Sequence, residues 1–149
     1  VLEWHNPGCP FVKKYYSVGA MQQLQVRAAK QGVHWISINS SAEGKEGFLK
    51  DDASARDIVV NRNAQPEYYL RDPDGKIGHL YGAKVTPHMF VIDKKGNLAY
   101  QGAIDSKPTA DAADIASSTN YVTAALESLK AGKPIKTPVT QAYGCFVKY

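Results

Sequence analysis

The sequence predicts an α/β fold in which a central mixed sheet is flanked by helices, and three observations carry that prediction. Strand-like apolar runs exchange with helically spaced ones along most of the chain. Late in the sequence, Met89-Phe90-Val91-Ile92 and Leu98-Ala99-Tyr100 face each other across the polar turn Lys94-Lys95-Gly96-Asn97, the pattern of an antiparallel hairpin. Finally, 149 residues with 44% hydrophobic and 21% charged content suit one globular domain with a real core. No internal repeat or second-domain linker interrupts the pattern.

Val1-Leu2-Glu3-Trp4-His5 reads as a strand, followed at once by the dense turn signal Asn6-Pro7-Gly8. Pro10 suits the first turn of a helix. Phe11, Tyr15, Val18, Met21, Leu24 and Ala28 then recur at helical spacing, predicting one long helix that Gly32 stops. Val33 to Ile38 alternates as a strand, with Val33, Trp35 and Ser37 on one face and His34, Ile36 and Ile38 on the other. Ser40 to Lys50 is polar and reads as a surface loop. Asp51 to Asn63 predicts a helix with Ser54 as its cap, and Tyr68 to Leu70 a short strand. Asp72-Pro73-Asp74-Gly75 is a turn, and a short helix through His79-Leu80-Tyr81 ends at Gly82. After the hairpin, Asp105 to Ser118 reads as irregular. Asn120 caps a last helix that buries Val122, Ala125, Leu126 and Leu129 and ends at Gly132 and Pro134. The predicted domain therefore spans 1–133, and 134–149 form an extended tail. The abrupt opening inside a strand predicts a processed chain or a fragment that has lost upstream elements.

Several functions are disfavoured by composition. The formal charge is +4, yet the basic residues are scattered and their densest groups are pairs such as Lys13-Lys14 and Lys94-Lys95. A nucleic-acid surface needs a basic stripe with interleaved aromatics, so no nucleic-acid partner is expected. No apolar run approaches the roughly 18 residues of a membrane span. His5, His34, His79 and His88 show neither H-x-x-x-H nor H-E-x-x-H spacing, and no C-x-x-C is present, so no metal site is expected. Without a glycine-rich phosphate loop, no cofactor is expected either.

The residue that stands out is Cys9. It lies where a strand ends and a helix begins, a junction at which unpaired backbone N–H groups and the positive end of the helix dipole favour an anion. The thiolate is the reactive form of cysteine, and such positions lower its pKa below the free value of about 8.5. His5 and His88, on segments expected near Cys9, are candidates for tuning that pKa.

Trp4-His5-Asn6-Pro7-Gly8-Cys9-Pro10-Phe11-Val12-Lys13-Lys14-Tyr15 resembles the active-site segment of redoxins, the branch of thioredoxin-fold proteins that includes thioredoxin-like reductases, peroxiredoxins and alkyl hydroperoxide reductases. Tyr81-Gly82-Ala83-Lys84-Val85-Thr86-Pro87-His88-Met89-Phe90 is similar to the segment in which that family sets a cis-proline opposite its active cysteine. The two turns Asp72–Lys76 and Asp93–Asn97 also resemble the family's, and the likeness runs from Val1 to about Leu129. It implies a thioredoxin-like fold, a thiol oxidoreductase or peroxidase activity, Cys9 as the reactive thiol, and Thr86, Pro87 and Asn6 as substrate-binding residues. The substrate would be a protein disulfide or a peroxide, with an external thiol as reductant. There are departures. Asn6 stands where thioredoxins have the first cysteine of C-x-x-C and where peroxiredoxins have a threonine or serine, and no arginine falls in a motif matching the peroxiredoxin arginine.

Cys145 lies in Ala142-Tyr143-Gly144-Cys145-Phe146-Val147, beyond the last helix. Three readings stay open. Cys145 is a resolving thiol that attacks oxidised Cys9, or it forms a structural staple with Cys9 contributing on the order of 5 kcal/mol, or the two never meet. Either pairing favours a periplasmic or otherwise exported protein, since stable disulfides are uncommon in the cytosol. Against the enzyme stands a redox-silent binding module whose Cys9–Cys145 disulfide is structural.

Overall fold

A computed structural model describes residues 1–149. Five strands form the main sheet: β1 (Leu2–Trp4), β2 (Ile36–Asn39), β3 (Tyr68–Arg71), β5 (His88–Ile92) and β6 (Leu98–Gly102), in the order β3-β2-β1-β5-β6. β1, β2 and β3 run parallel, whereas β5 is antiparallel to β1 and β6 to β5, so the sheet is mixed. A separate two-stranded ribbon joins β4 (Val85–Thr86) to β7 (Cys145–Phe146).

Because strand side chains alternate between faces, the sheet sorts its residues into two cores. Val1, Trp35, Met89, Val91 and Tyr100 lie in the larger one, packed with residues of α1 (Pro10–Tyr16), α2 (Ala20–Lys30) and α5 (Tyr121–Lys130). Leu2, Trp4, Ile38 and Phe90 form the smaller one with Ala83, against Ile77 of α4 (Lys76–Tyr81) and Val147 of the tail. Glu3 lies on the larger side with no exposure, and its carboxylate accepts from Tyr16, Trp35, Ser37 and Gln25. Four donors around one buried acid explain how β1 tolerates a charge-bearing side chain in its centre.

Several sequence expectations are corrected. The long helix is two: α1 ends at Tyr16, and α2 begins after Gly19, whose φ of 74° no helix accommodates. Periodicity continues across the break, so the pattern alone hid it, and Val18 is 55% exposed instead of buried. The second strand starts at Ile36, three residues later than expected, because Val33 completes the turn after α2 by donating to Ala28 O. In α3 (Asp52–Asn61) the cap is Asp51, and Ser54 is the returning member of a capping box. The segment expected to be irregular contains a 3₁₀ turn at Ala112–Ser117, capped by Asp111.

The tail is not a free extension. Gln101 N donates to Pro138 O and Thr140 N to Gln101 O, laying the tail first along β6. It then crosses to β4, where Val147 N donates to Lys84 O, and finishes with Tyr149 OH on Ala83 O at 2.7 Å and its ring stacked on His79.

Candidate active site

Cys9 is the N-cap of α1. Asn6-Pro7-Gly8 forms the turn that delivers it: Cys9 N donates to Asn6 O at 3.2 Å, and Asn6 Oδ1 accepts from Gly8 N at 2.8 Å. Pro10, with no N–H to satisfy, opens the helix. Across from it the Thr86–Pro87 peptide bond is cis, and Cys9 Sγ donates to Thr86 O at 3.0 Å. Thr86 is also the register partner of Cys145 in the β4–β7 pair. One backbone carbonyl thus links three sequence-distant segments, and the two cysteines meet beside it as free thiols.

Their electrostatics differ. Burial opposes ionisation of Cys9, yet hydrogen bonds from the Cys145 side chain, from Thr86, and from the amides of Cys145 and Val12 outweigh it and hold the thiol below its ordinary value. The Val12 contribution is the helix terminus stabilising charge at its own cap. Cys145 is pushed up to about 12, first by burial and then by donating to Cys9 and facing its negative charge. The arrangement is an asymmetric thiol pair, with a thiolate-forming sulfur at the helix and a protonated donor on the tail. Cys9 is 1% exposed, at the edge of the larger core with Cys145 of the tail packed against it.

The other predicted residues occupy distinct places. Thr86 and Pro87 border Cys9, and Thr86 Oγ1 is buried without a fixed hydrogen-bond partner. Asn6 is buried, but its Nδ2 is committed to Glu46 O at 3.0 Å and Ser41 Oγ at 3.4 Å, so it organises the turn and the loop behind it. His5 Nδ1 pairs with Tyr69 OH at 2.7 Å, and its ring packs edge-on against Tyr16 and Tyr69. His88 Nδ1 accepts from Lys84 N at 3.3 Å. Neither imidazole hydrogen-bonds Cys9. Burial, reinforced by Arg62 for His5 and Lys84 for His88, lowers them to about 3 and about 4, so both are neutral near pH 7.

Sequence reasoning missed four participants. Arg62 reaches from the end of α3 to donate to Pro7 O, gripping the turn before Cys9 while its guanidinium lies 5.3 Å over the Tyr16 ring. Lys14 Nζ and Asp105 form a fully buried ion pair at 2.9 Å, joined by Tyr143 OH, which donates to Asp105 Oδ1 at 2.5 Å. For Lys14 a signal existed: it falls three residues after Phe11 and beside Tyr15, on the apolar side of α1. Arg62, Asp105 and Tyr143 carry no local signal. A cleft elsewhere is lined by residues such as Gly32, Asp93, Leu129 and Pro134, and it includes none of the predicted site residues. No cluster of three or more His, Cys, Asp or Glu side chains arranged to hold a metal ion occurs, and no helix is long and apolar enough to cross a membrane.

No protein-family model matches the chain, and no curated protein sequence matches it. Among solved structures it is similar to a hypothetical protein from Sinorhizobium meliloti 1021, with 24% identity and a TM-score of 0.80 over 99% of this chain and 78% of that one. It is also similar to an uncharacterized conserved protein from Geobacillus kaustophilus, with 23% identity and a TM-score of 0.78 over 99% of this chain and 75% of that one. Identity this low shows a shared fold alone.

Proposed function

We propose that this chain is a thiol-dependent redox enzyme of the redoxin type on a thioredoxin-like fold, with Cys9 as nucleophile and Cys145 as resolving thiol. The observation that carries the reading is the Cys9 sulfur itself. It is fixed at a helix N-terminus, hydrogen-bonded by Cys145, and faces the cis-proline turn at Thr86. The parallel β1–β2–β3 unit followed by the antiparallel β5–β6 hairpin and closing α5 supports the fold assignment.

With a peroxide, the Cys9 thiolate attacks one oxygen, the O–O bond breaks, and the alcohol leaves with a proton, giving Cys9 sulfenic acid. Cys145 then attacks that sulfur, releasing water and forming the Cys9–Cys145 disulfide. With a disulfide substrate, Cys9 forms a mixed disulfide and expels one thiol, and Cys145 expels the second. An external dithiol returns two electrons and two protons in either case. The environment orders these steps. Once Cys9 is oxidised, the negative charge and the hydrogen bond that help keep Cys145 protonated are gone. The resolving thiol is therefore easier to deprotonate at the stage at which it must attack, although burial, the largest cause, still raises it. A cycle through an intramolecular disulfide suits a periplasmic or otherwise exported setting.

Alkylation of the reduced protein across pH tests the reading, with each cysteine followed by mass spectrometry. Cys9 is expected to titrate below a free thiol and well before Cys145. A Cys9 that titrates like a free thiol, together with a Cys9–Cys145 disulfide that mild reductants leave intact, would reassign the chain as a binding module with a structural bridge.

A further inference from the structure

The buried cluster around Asp105 touches neither cysteine, yet it grips the tail two residues before Cys145. Tyr143 OH donates to Asp105 Oδ1 at 2.5 Å, and Lys14 Nζ donates to Tyr143 OH at 3.3 Å and to Asp105 Oδ2 and Lys107 O at 2.9 Å each. Tyr15 OH donates to Asp105 Oδ2 at 2.5 Å, and Phe11 meets the Tyr143 ring edge-on at 5.7 Å. Lys14 and Asp105 are 2% and 1% exposed. Burying an ion pair this completely is weak support for stability, because the desolvation cost rivals the attraction. What the pair does achieve is position.

Three of these residues, Phe11, Lys14 and Tyr15, belong to α1, the helix whose N-cap is Cys9. The same rigid element therefore holds the nucleophile at its end and the tail's tyrosine on its side. Between Tyr143 and Cys145 stands one residue, Gly144, with φ of 143° and no room for a Cβ, which would lie 2.0 Å from Thr86 O. A fixed ring, a single glycine and a thiol follow one another, so Tyr143 sets the approach of Cys145 from upstream while its register with Thr86 in the β4–β7 pair holds it from the other side. Upstream, the next side-chain anchor is Thr140, whose Oγ1 pairs with Tyr100 OH at 2.6 Å and accepts from Ala103 N at 2.9 Å.

We infer that Tyr143, held by Asp105 and Lys14, is a positioning residue that aims Cys145 at Cys9 for resolution. The inference rests on the proposed role of Cys145 as resolving thiol. Loss of the tyrosine hydroxyl leaves the tail docked beyond the cysteine, through Val147 N on Lys84 O and Tyr149 OH on Ala83 O. The effect is thus on aim, with attachment retained.

Single-turnover kinetics of Tyr143→Phe test this. Reduced protein is mixed with one equivalent of hydrogen peroxide or, in a second arm, 5,5′-dithiobis(2-nitrobenzoate), then acid-quenched and read by mass spectrometry. Oxidation or capture of Cys9 is expected to stay within about twofold of the parent. Formation of the Cys9–Cys145 disulfide is expected to slow about tenfold or more, as misplaced intramolecular partners do, and the sulfenic acid or mixed disulfide accumulates. The double variant Lys14→Met, Asp105→Asn, which removes both charges together and so leaves no buried charge unpaired, loosens the hold on the Tyr143 hydroxyl, gives the same split and serves if the first variant folds poorly. Equal resolution rates in parent and variants overturn the inference, as does a parallel fall in both steps, which marks a merely structural role. A parent protein that never forms the disulfide takes down the resolving role of Cys145 and this inference together, and the parent's own failure identifies that case.

Discussion

Cys9 and Cys145 are the same residue type in mutual contact, yet one is built into the scaffold and the other is carried by a tail. Cys9 has helix amides, a cis-proline turn and a neighbouring S–H around it, and its thiolate is favoured. Cys145 has half-buried surroundings and a negative neighbour, and its thiolate is suppressed to a pKa of about 12. The contrast teaches that placement alone gives two identical thiols opposite acidities, which is what the proposed roles of nucleophile and resolver require. Each also sets the other's acidity, so altering one is expected to be visible in the other.

The sharpest way to break the comparison is to remove each sulfur in turn. Cys9→Ser is expected to lower peroxide or disulfide turnover by roughly three orders of magnitude or more, to the uncatalysed background. Cys145→Ala keeps the first step but stalls the cycle at oxidised Cys9, and its alkylation profile at Cys9 moves to higher pH because a hydrogen-bond donor is lost. Stopped-flow oxidation and pH-dependent alkylation read these outcomes. Equal rates of the first oxidation step in the two variants would remove the distinction between nucleophile and resolver.

Next in size is Gly144→Ala. A Cβ there meets Thr86 O at 2.0 Å, and the φ of 143° excludes most L-residues. Either the backbone strains or β7 leaves β4, at about 1–3 kcal/mol. The melting temperature is expected to fall, and Cys9, uncovered, to alkylate faster than in the parent. A variant with unchanged alkylation would mean that the tail does not govern access to the site.

The scaffold half of this comparison was legible in the sequence, and the tail half was not. Asn6-Pro7-Gly8, Cys9 and Pro10 are consecutive, and each has a local conformational preference, so turn, cap and helix start follow from a few residues. The hairpin and the Gly82 stop are equally local. By contrast, β7 pairs with β4 through two residues across some sixty positions of chain, too short a run to leave an alternating pattern. Asp105 sits in a segment read as irregular, and its partners Lys14 and Tyr143 lie 91 and 38 residues away. Lys14 falls on the apolar side of α1, yet nothing local names its partner. Gly19 shows the opposite failure: a helical pattern continues through a break that only the backbone reveals.

Acid is expected to stress the scaffold before the tail. His5 and His88 have folded-state values of about 3 and about 4, below the ordinary 6.5. Between about pH 4 and 6.5 the unfolded chain binds protons that the folded chain refuses, so stability is full above 6.5 and falls as pH is lowered through this window. The slope is on the order of 1 kcal/mol per pH unit for each imidazole. Glu3, raised by burial, offsets part of it just above the ordinary glutamate range. Burial also opposes charge on Asp105, but hydrogen bonds from Tyr143, Tyr15 and Lys14 outweigh it and hold the carboxyl low. The grip on the tail is therefore present above the ordinary carboxylate range and is lost only below it. Urea midpoints are expected to drop from pH 7 to pH 5. A flat midpoint would contradict the burial of neutral imidazoles.

Thr86→Val should produce the smallest change in stability and still separate the two sulfurs. Thr86 Oγ1 is buried without a fixed partner, so replacing the hydroxyl with a methyl of the same shape removes an unsatisfied polar atom. The backbone carbonyl that accepts from Cys9 and the register with Cys145 are both untouched. Stability should stay within about 0.5 kcal/mol of the parent, or rise slightly. Reactivity is another matter, because this hydroxyl, without a partner while Cys9 is a thiol, is among the groups that favour the Cys9 thiolate once it forms. Its loss moves the Cys9 alkylation profile to higher pH, whereas the order of the two titrations persists, since Cys145 still donates to Cys9. If the profile does not move, the thiolate depends on the helix amides and Cys145 alone, and Thr86 serves the site only through its carbonyl.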